Sequence, residues 1–97
     1  MAAVCRLGDI STGHGCFPPR PNITASPNVF INGIPAHREG DEWDLHCCSN
    51  PSGGCHTGVL ASGSPNVFVN SKPLARIGDP ISCGDFVAQG SPNVFCN

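Results

Sequence analysis

Apolar residues in this chain gather in short runs, and three of the runs are alike: Val29-Phe30-Ile31, Val67-Phe68-Val69 and Val94-Phe95-Cys96. Each sits in the same setting, SPNVFIN at 26–32, SPNVFVN at 64–70 and SPNVFCN at 91–97. Proline fixes φ and asparagine tolerates a turn, so the backbone bends at Ser-Pro-Asn. The β-branched and aromatic residues that follow predict a short strand. Asn32-Gly33 and Asn70-Ser71 then supply a second turn, and the segments Ile34–Arg38 and Leu74–Ile77 predict return strands, so each repeat reads as a β-hairpin. Adjacent strand residues face opposite sides. Each Val-Phe pair therefore asks for cover on both faces, one in a shared interior and one under a loop or a partner. Helical periodicity is missing. The longest stretch free of Gly and Pro, Asp41–Asn50, is marginal in length for a helix and shows no apolar face.

A polar block repeats as well: RLGD at 6–9, REGD at 38–41 and RIGD at 76–79. Ser26 to Arg38 and Ser64 to Arg76 are the same step of 12 positions, and joining Asn97 to Met1 would give Ser91 to Arg6 that step too. The pattern is a circularly permuted three-unit repeat. An open solenoid does not need its termini to complete a unit, whereas a closed ring with three-fold pseudosymmetry does. Single hairpins are not stable in water, so the three must share a core. The fold class expected is all-β: a small domain of three pseudo-three-fold-related β-hairpin repeats closed into a ring.

Composition narrows the reading. At 97 residues and 10.0 kDa the chain is expected to form one domain, 1–97. With 12 Gly, 10 Pro and only 12% charged residues, long helices, coiled coils and charged disordered tails are excluded. The net charge of −2, five Lys and Arg without a basic run, and the lack of Tyr argue against nucleic-acid binding. No apolar stretch reaches the roughly 18 residues of a membrane span. The start of the chain lacks a basic-then-apolar leader and a lipidation signal, which points to synthesis and folding in a cytoplasm. There, seven Cys and four His read as reduced thiols and metal ligands more readily than as a secreted disulfide framework. A metal also supplies the staple that so small a core needs.

The ligand candidates lie in the variable loops after each Gly-Asp. His14 and His46 lie five residues after Asp9 and Asp41, and Cys83 four after Asp79; His56 and Cys83 each lie eight before the next SPNVF. Equivalent loops of a ring converge toward one pole, and three His with one Cys suit tetrahedral Zn²⁺ with no open position, a structural site. His37, inside an expected strand, reads as packing or hydrogen bonding. Cys5, Cys47, Cys48 and Cys96 read as small buried apolar residues. Cys55 is a spare ligand beside His56, and Cys47-Cys48-x6-Cys55-His56 is a lesser, knuckle-like alternative without the usual Cys-x2-Cys spacing. Trp43 is expected to cover the long second loop. Glu39, Glu42, Asp44 and Asp85 could serve a zinc hydrolase, but no HExxH, nucleophile elbow or phosphate-cradling loop accompanies them, so no catalytic residue is assigned. The alternative kept open is a small zinc-binding module with a nucleic-acid or enzymatic role.

Pro35-Ala36-His37-Arg38 and Pro73-Leu74-Ala75-Arg76, each set between an SPNVF strand and Gly-Asp, resemble the PAAR-repeat family, named for Pro-Ala-Ala-Arg. The chain departs from the name at His37 and Leu74, which are strand side chains and leave the loops untouched. The resemblance covers essentially the whole chain. It implies a small, sharp β-cone that caps the blunt end of a trimeric β-helical spike in type VI secretion systems and contractile phage tails. It also implies one structural zinc near the apex (iron is the lesser choice), held by three His and one Cys: His14, His46, His56 and Cys83. The partner it implies is the C-terminal end of the trimeric spike protein, with one tip chain per trimer and a transient contact with the target membrane. Nucleic acid and small-molecule substrates are not implied. The chain would be made in the cytoplasm, built into a tail baseplate or a secretion spike, and delivered through the target envelope. Longer members carry toxin or adaptor extensions; here the repeats run from residue 6 to residue 97, and none is expected.

Overall fold

The computed structural model describes residues 1–49 and 53–97. Among them there is no helix, and eight strands pair two by two. β2 (Phe30–Ile31) pairs with β3 (Ile34–Pro35), and β6 (Phe68–Val69) with β7 (Lys72–Pro73), both antiparallel. The turns between them have positive φ at both central residues, Asn32 (56°) and Gly33 (75°), Asn70 (53°) and Ser71 (67°). That is the two-residue turn whose twist matches a hairpin. The third hairpin forms from opposite ends of the sequence: β1 (Ala2–Ala3) pairs with β8 (Phe95–Cys96). Phe30, Phe68 and Phe95 thus stand opposite Pro35, Pro73 and Ala3, three copies of one geometry.

The return strands are shorter than the sequence suggests, and the second starts at Lys72, not at Leu74. Proline has no N–H to continue a ladder, so the strands stop at Pro35 and Pro73. The chain then bridges to a neighbouring repeat instead, with Arg6 opposite Ala36, Arg38 opposite Leu74 and Arg76 opposite Val4. The bonds run round a closed cycle. At its centre the His37 N–H donates to the Cys5 carbonyl at 3.1 Å, Ala75 to His37 at 3.0 Å, and Cys5 to Ala75 at 2.9 Å. All three residues are fully buried. Three peptide groups cut off from water satisfy one another on the pseudo-three-fold axis.

The Arg-x-Gly-Asp blocks fasten the rim. In each, the arginine N–H and Nε–H donate to one carboxylate oxygen of the aspartate three residues on, and the guanidinium reaches the other. This two-pronged pairing is the strong form of the Arg–carboxylate contact. Gly8, Gly40 and Gly78, at φ of 86°, 86° and 91°, allow the turn that brings the pair together.

The interior has two layers. Val4, Ala36, Val69, Leu74 and Cys96 form the lower one, flanked by Val29, Ile31, Val67 and Val94. Cys5, Trp43, Leu60, Ala75, Ile81 and Val87 form the upper, with Cys83 against it. Trp43 is therefore core, not loop cover. The described residues extend 40 × 23 × 23 Å, longer along one axis and equal across it. The fold is the expected all-β cone of three related hairpins.

The loop of the second Gly-Asp departs most from expectation. It is not irregular: β4 (Glu42–Cys47) and β5 (Cys55–Val59) make the longest strand pair. The pairing slips between Trp43 and His46. Plain alternation would put these two on opposite faces, and the irregularity lets both point inward. Asn50, Pro51 and Ser52, at the end of the Asp41–Asn50 stretch and within the knuckle-like spacing, lie outside the described residues.

Candidate metal centre

His14, His46, His56 and Cys83 come together beside the upper core layer, with one ligand atom of each within 4.8 Å of all the others. His46 on β4 faces His56 on β5 as a register pair, their Nε2 atoms 2.7 Å apart. Cys83 Sγ is 3.8 Å from His46 Nε2. His14 begins a tight turn closed by its own N–H and carbonyl to Phe17, with Gly15 at φ 54°. Its ring centre lies 5.0 Å from those of both His46 and His56.

Two hydrogen bonds decide which nitrogens face the cluster. His46 Nδ1 lies 2.8 Å from the Pro18 carbonyl, which only accepts, so the proton sits on Nδ1. His14 Nδ1 is bonded to the Asp85 carboxylate, which fixes the same tautomer. Burial, with the neighbouring His46 and His14 adding to it, lowers the His56 pKa from its ordinary value. Three imidazoles and a thiol, with their ligand atoms gathered within 4.8 Å, match the donor set of a tetrahedral Zn²⁺. When bound, such an ion cross-links loops from all three repeats.

Sequence reasoning considered Asp85 only as a hydrolase carboxylate and missed its place here. Its side chain is 2% exposed. Burial alone would raise its pKa, but hydrogen bonds from Ser11 and His14 and the nearby His14 and His46 rings bring it below the ordinary aspartate value. The buried carboxylate therefore stays anionic and orients His14, the second-layer partner that metal-binding histidines use. Phe17 was missed too. It lies over the cluster, its ring centre 4.9 Å from His14, 5.1 Å from His46 and 4.1 Å from His56. Gly58 has a steric reason: a Cβ there would stand 3.1 Å from Ile81 Cγ2 and 3.2 Å from Cys83 Sγ. Asp85 lies two residues after Cys83, and that spacing is the one hint the sequence held.

The other Cys and His residues divide cleanly. Cys5 and Cys96 are buried free thiols, and burial pushes both up in pKa. Cys47 and Cys48 are not simple buried apolar residues, and Cys55 is not a spare ligand. Cys47 is disulfide-bonded to Cys55, and Cys48 to Cys16. These bonds also remove the knuckle-like alternative, since its three thiols are consumed. His37 is outside the cluster. Its Nδ1–H donates to the Thr24 carbonyl at 2.8 Å, and its ring meets Trp43 edge-on at 5.1 Å.

No curated protein matches the chain. A family model described as the PAAR motif matches residues 8–89, a span that holds both complete repeats, all four residues of the cluster and Asp85. The match, the closed ring of three hairpins and the His/Cys cluster above its core agree, and the chain belongs to the PAAR-motif family.

Proposed function

We propose that this chain caps the trimeric β-helical spike of a contractile injection machine and sharpens it for piercing an envelope. The family serves as spike tips in type VI secretion and phage tail machines, a structural role. The observation that carries the reading further lies on the hairpins around the lower core layer, whereas Cys83 of the His/Cys cluster packs against the upper one. There Phe30, Phe68 and Phe95, in equivalent registers, are 54%, 56% and 50% exposed. Their valine neighbours turn inward to the lower core layer. Three exposed aromatics on a pseudo-three-fold ring suit a partner with true three-fold symmetry, and apolar surface of this kind marks a binding face. The end of a trimeric β-helix offers three equivalent edges for it to cover.

Beside the upper layer, His14, His46, His56 and Cys83 hold one zinc ion, which acts as a structural cross-link. With every ligand position taken, the ion has no open site for substrate, in keeping with a non-enzymatic tip. A cone bound across its narrow end resists splaying when driven forward. Two measurements on the recombinant protein test the reading. Metal analysis is expected to find about one zinc per chain, the number a single four-ligand site accepts. A C-terminal β-helical fragment of the spike trimer is expected to bind one chain per trimer. Well-folded protein without metal removes the zinc, and a fragment that does not bind removes the capping role.

A further inference from the structure

The two disulfides are placed where they bear on the metal-ligand arms. Cys16 is two residues from His14, and Cys48 is two from His46, so the Cys16–Cys48 bond ties the His14 turn to β4. Cys47 adjoins His46 and Cys55 adjoins His56. The Cys47–Cys55 bond is thus the rung of the β4–β5 ladder next to the His46–His56 pair. Every histidine of the cluster lies within two residues of a cystine, and each cystine joins two histidine-bearing segments. Cys83, the fourth member, remains a free thiol.

We propose that Cys16, Cys47, Cys48 and Cys55 form a thiol–disulfide centre that controls how firmly the neighbouring metal is held. The inference rests on the metal reading above and adds its regulation. A four-coordinate ion leaves when a ligand arm swings away and a competitor enters, a local opening and not global unfolding. The cystines remove open arrangements of exactly those arms, because a cross-link restricts the states in which its two ends part. With the bonds intact, His14, His46 and His56 move only as a tied group. With the bonds reduced, each arm opens by itself. Cys16, Cys47 and Cys55 are exposed, so a small disulfide or thiol can reach them. The chemistry balances by exchange with a low-molecular-weight disulfide. Four protein thiols and two small disulfides give two cystines and four small thiols, so the four electrons and four protons pass to the small molecule. A chain formed with reduced thiols would therefore lock its metal on reaching an oxidising medium, and release it more readily where glutathione-like thiols are abundant.

The test uses the full chain loaded with zinc. One sample is incubated with oxidised glutathione and the other with a phosphine reductant. Alkylation and mass analysis count the free thiols in each. Zinc release into excess EDTA is then followed with a chromogenic indicator. Release from the reduced protein is expected to be about tenfold faster or more, the scale on which groups behind the ligands change metal binding. The double variants Cys16→Ser/Cys48→Ser and Cys47→Ser/Cys55→Ser are expected to release at rates between the two. If a variant does not fold, the wild-type pair of samples decides alone. Equal release rates from oxidised and reduced protein overturn the proposal and leave the metal reading standing. Seven alkylated thiols after oxidised glutathione also overturn it. A protein that holds no zinc in either state overturns the metal reading and this proposal with it.

Discussion

The Ser91 hydroxyl donates to Asn32 Oδ1 at 2.6 Å across 59 positions of sequence. The same link joins Ser26 to Asn70 at 2.6 Å, and Ser64 reaches the Asn97 carbonyl. The first repeat is thereby tied to the second, the second to the third, and the third back to the first. Each serine also accepts the N–H of the valine three residues on, holding the Ser-Pro-Asn turn. The block recurs because it does two jobs at once: it turns the chain and it closes the ring.

Removing that oxygen should cost the same in all three repeats. Ser26, Ser64 and Ser91 are 2%, 1% and 3% exposed, so water cannot replace the lost partner. Ser91→Ala takes away the hydroxyl that bonds Asn32 Oδ1 and the N–H groups of Asn93 and Val94, and should destabilise by about 1–2 kcal/mol, most of it from the turn. Urea unfolding of the three single variants checks it. A variant at Ser91 that costs far less than those at Ser26 and Ser64 would show that the ring is not closed through the third repeat.

Asp85 should govern the metal without touching it. Asp85→Ala removes the group that fixes the His14 tautomer, and zinc affinity should fall about 10–100-fold. Asp85→Asn keeps an acceptor but loses the charge, and should fall between that variant and the wild type. Competition against a calibrated chelator measures both, with the CD spectrum as a check on the fold. Unchanged affinity in Asp85→Ala would mean that His14 is held in place by Phe17 and its own turn.

The repeats made the ring legible in the sequence, because a closed cycle was the one arrangement that completed a unit from both ends of the chain. Position relative to Gly-Asp and to SPNVF also picked out the four residues that the fold brings together. Other features escaped for definite reasons. The β4–β5 hairpin hides behind an irregular pairing that breaks the alternation between Trp43 and His46. The disulfides could not be read because spacing does not determine which cysteines pair. Cys47 is the last residue of β4 and Cys48 the first beyond it, and these neighbours find different partners. Asp85 carries no pattern of its own, since a carboxylate that orients a ligand is defined only by what it touches.

The exposed phenylalanines should matter to binding and not to folding. Phe68 is 56% exposed while Val67 and Val69 beside it face the core, so Phe68→Asp removes little that stabilises the cone. Surface changes of this kind usually lie within about 0.5 kcal/mol in stability. Affinity for the spike fragment should drop by about 2 kcal/mol or more, as expected when a charge replaces a central aromatic anchor. Calorimetric titration of Phe30→Asp, Phe68→Asp and Phe95→Asp should give three similar losses. A loss at one position alone would argue against a three-fold seat.

His37 should make the protein sensitive to mild acid. It is wholly buried, and that burial lowers its pKa from the ordinary 6.5, outweighing the Thr24 hydrogen bond and the Asp41 charge that act the other way. Above pH 6.5 the imidazole is neutral in both the folded and unfolded chain and contributes no pH dependence. Below it the unfolded chain binds the proton first, so stability falls with falling pH until folded His37 is protonated as well. The slope from one such group is at most about 1.4 kcal/mol per pH unit. His37→Ala, which gives this position the residue that Ala75 has in the next repeat, should flatten the dependence between about pH 7 and 5, the range where histidine titrates. Urea midpoints of both proteins at saturating zinc measure it, because acid loss of the metal is common to the two and cancels in the difference. Equal slopes would mean that His37 takes up its proton as readily in the folded chain as in the unfolded one, in conflict with a ring cut off from water on the axis of the cone.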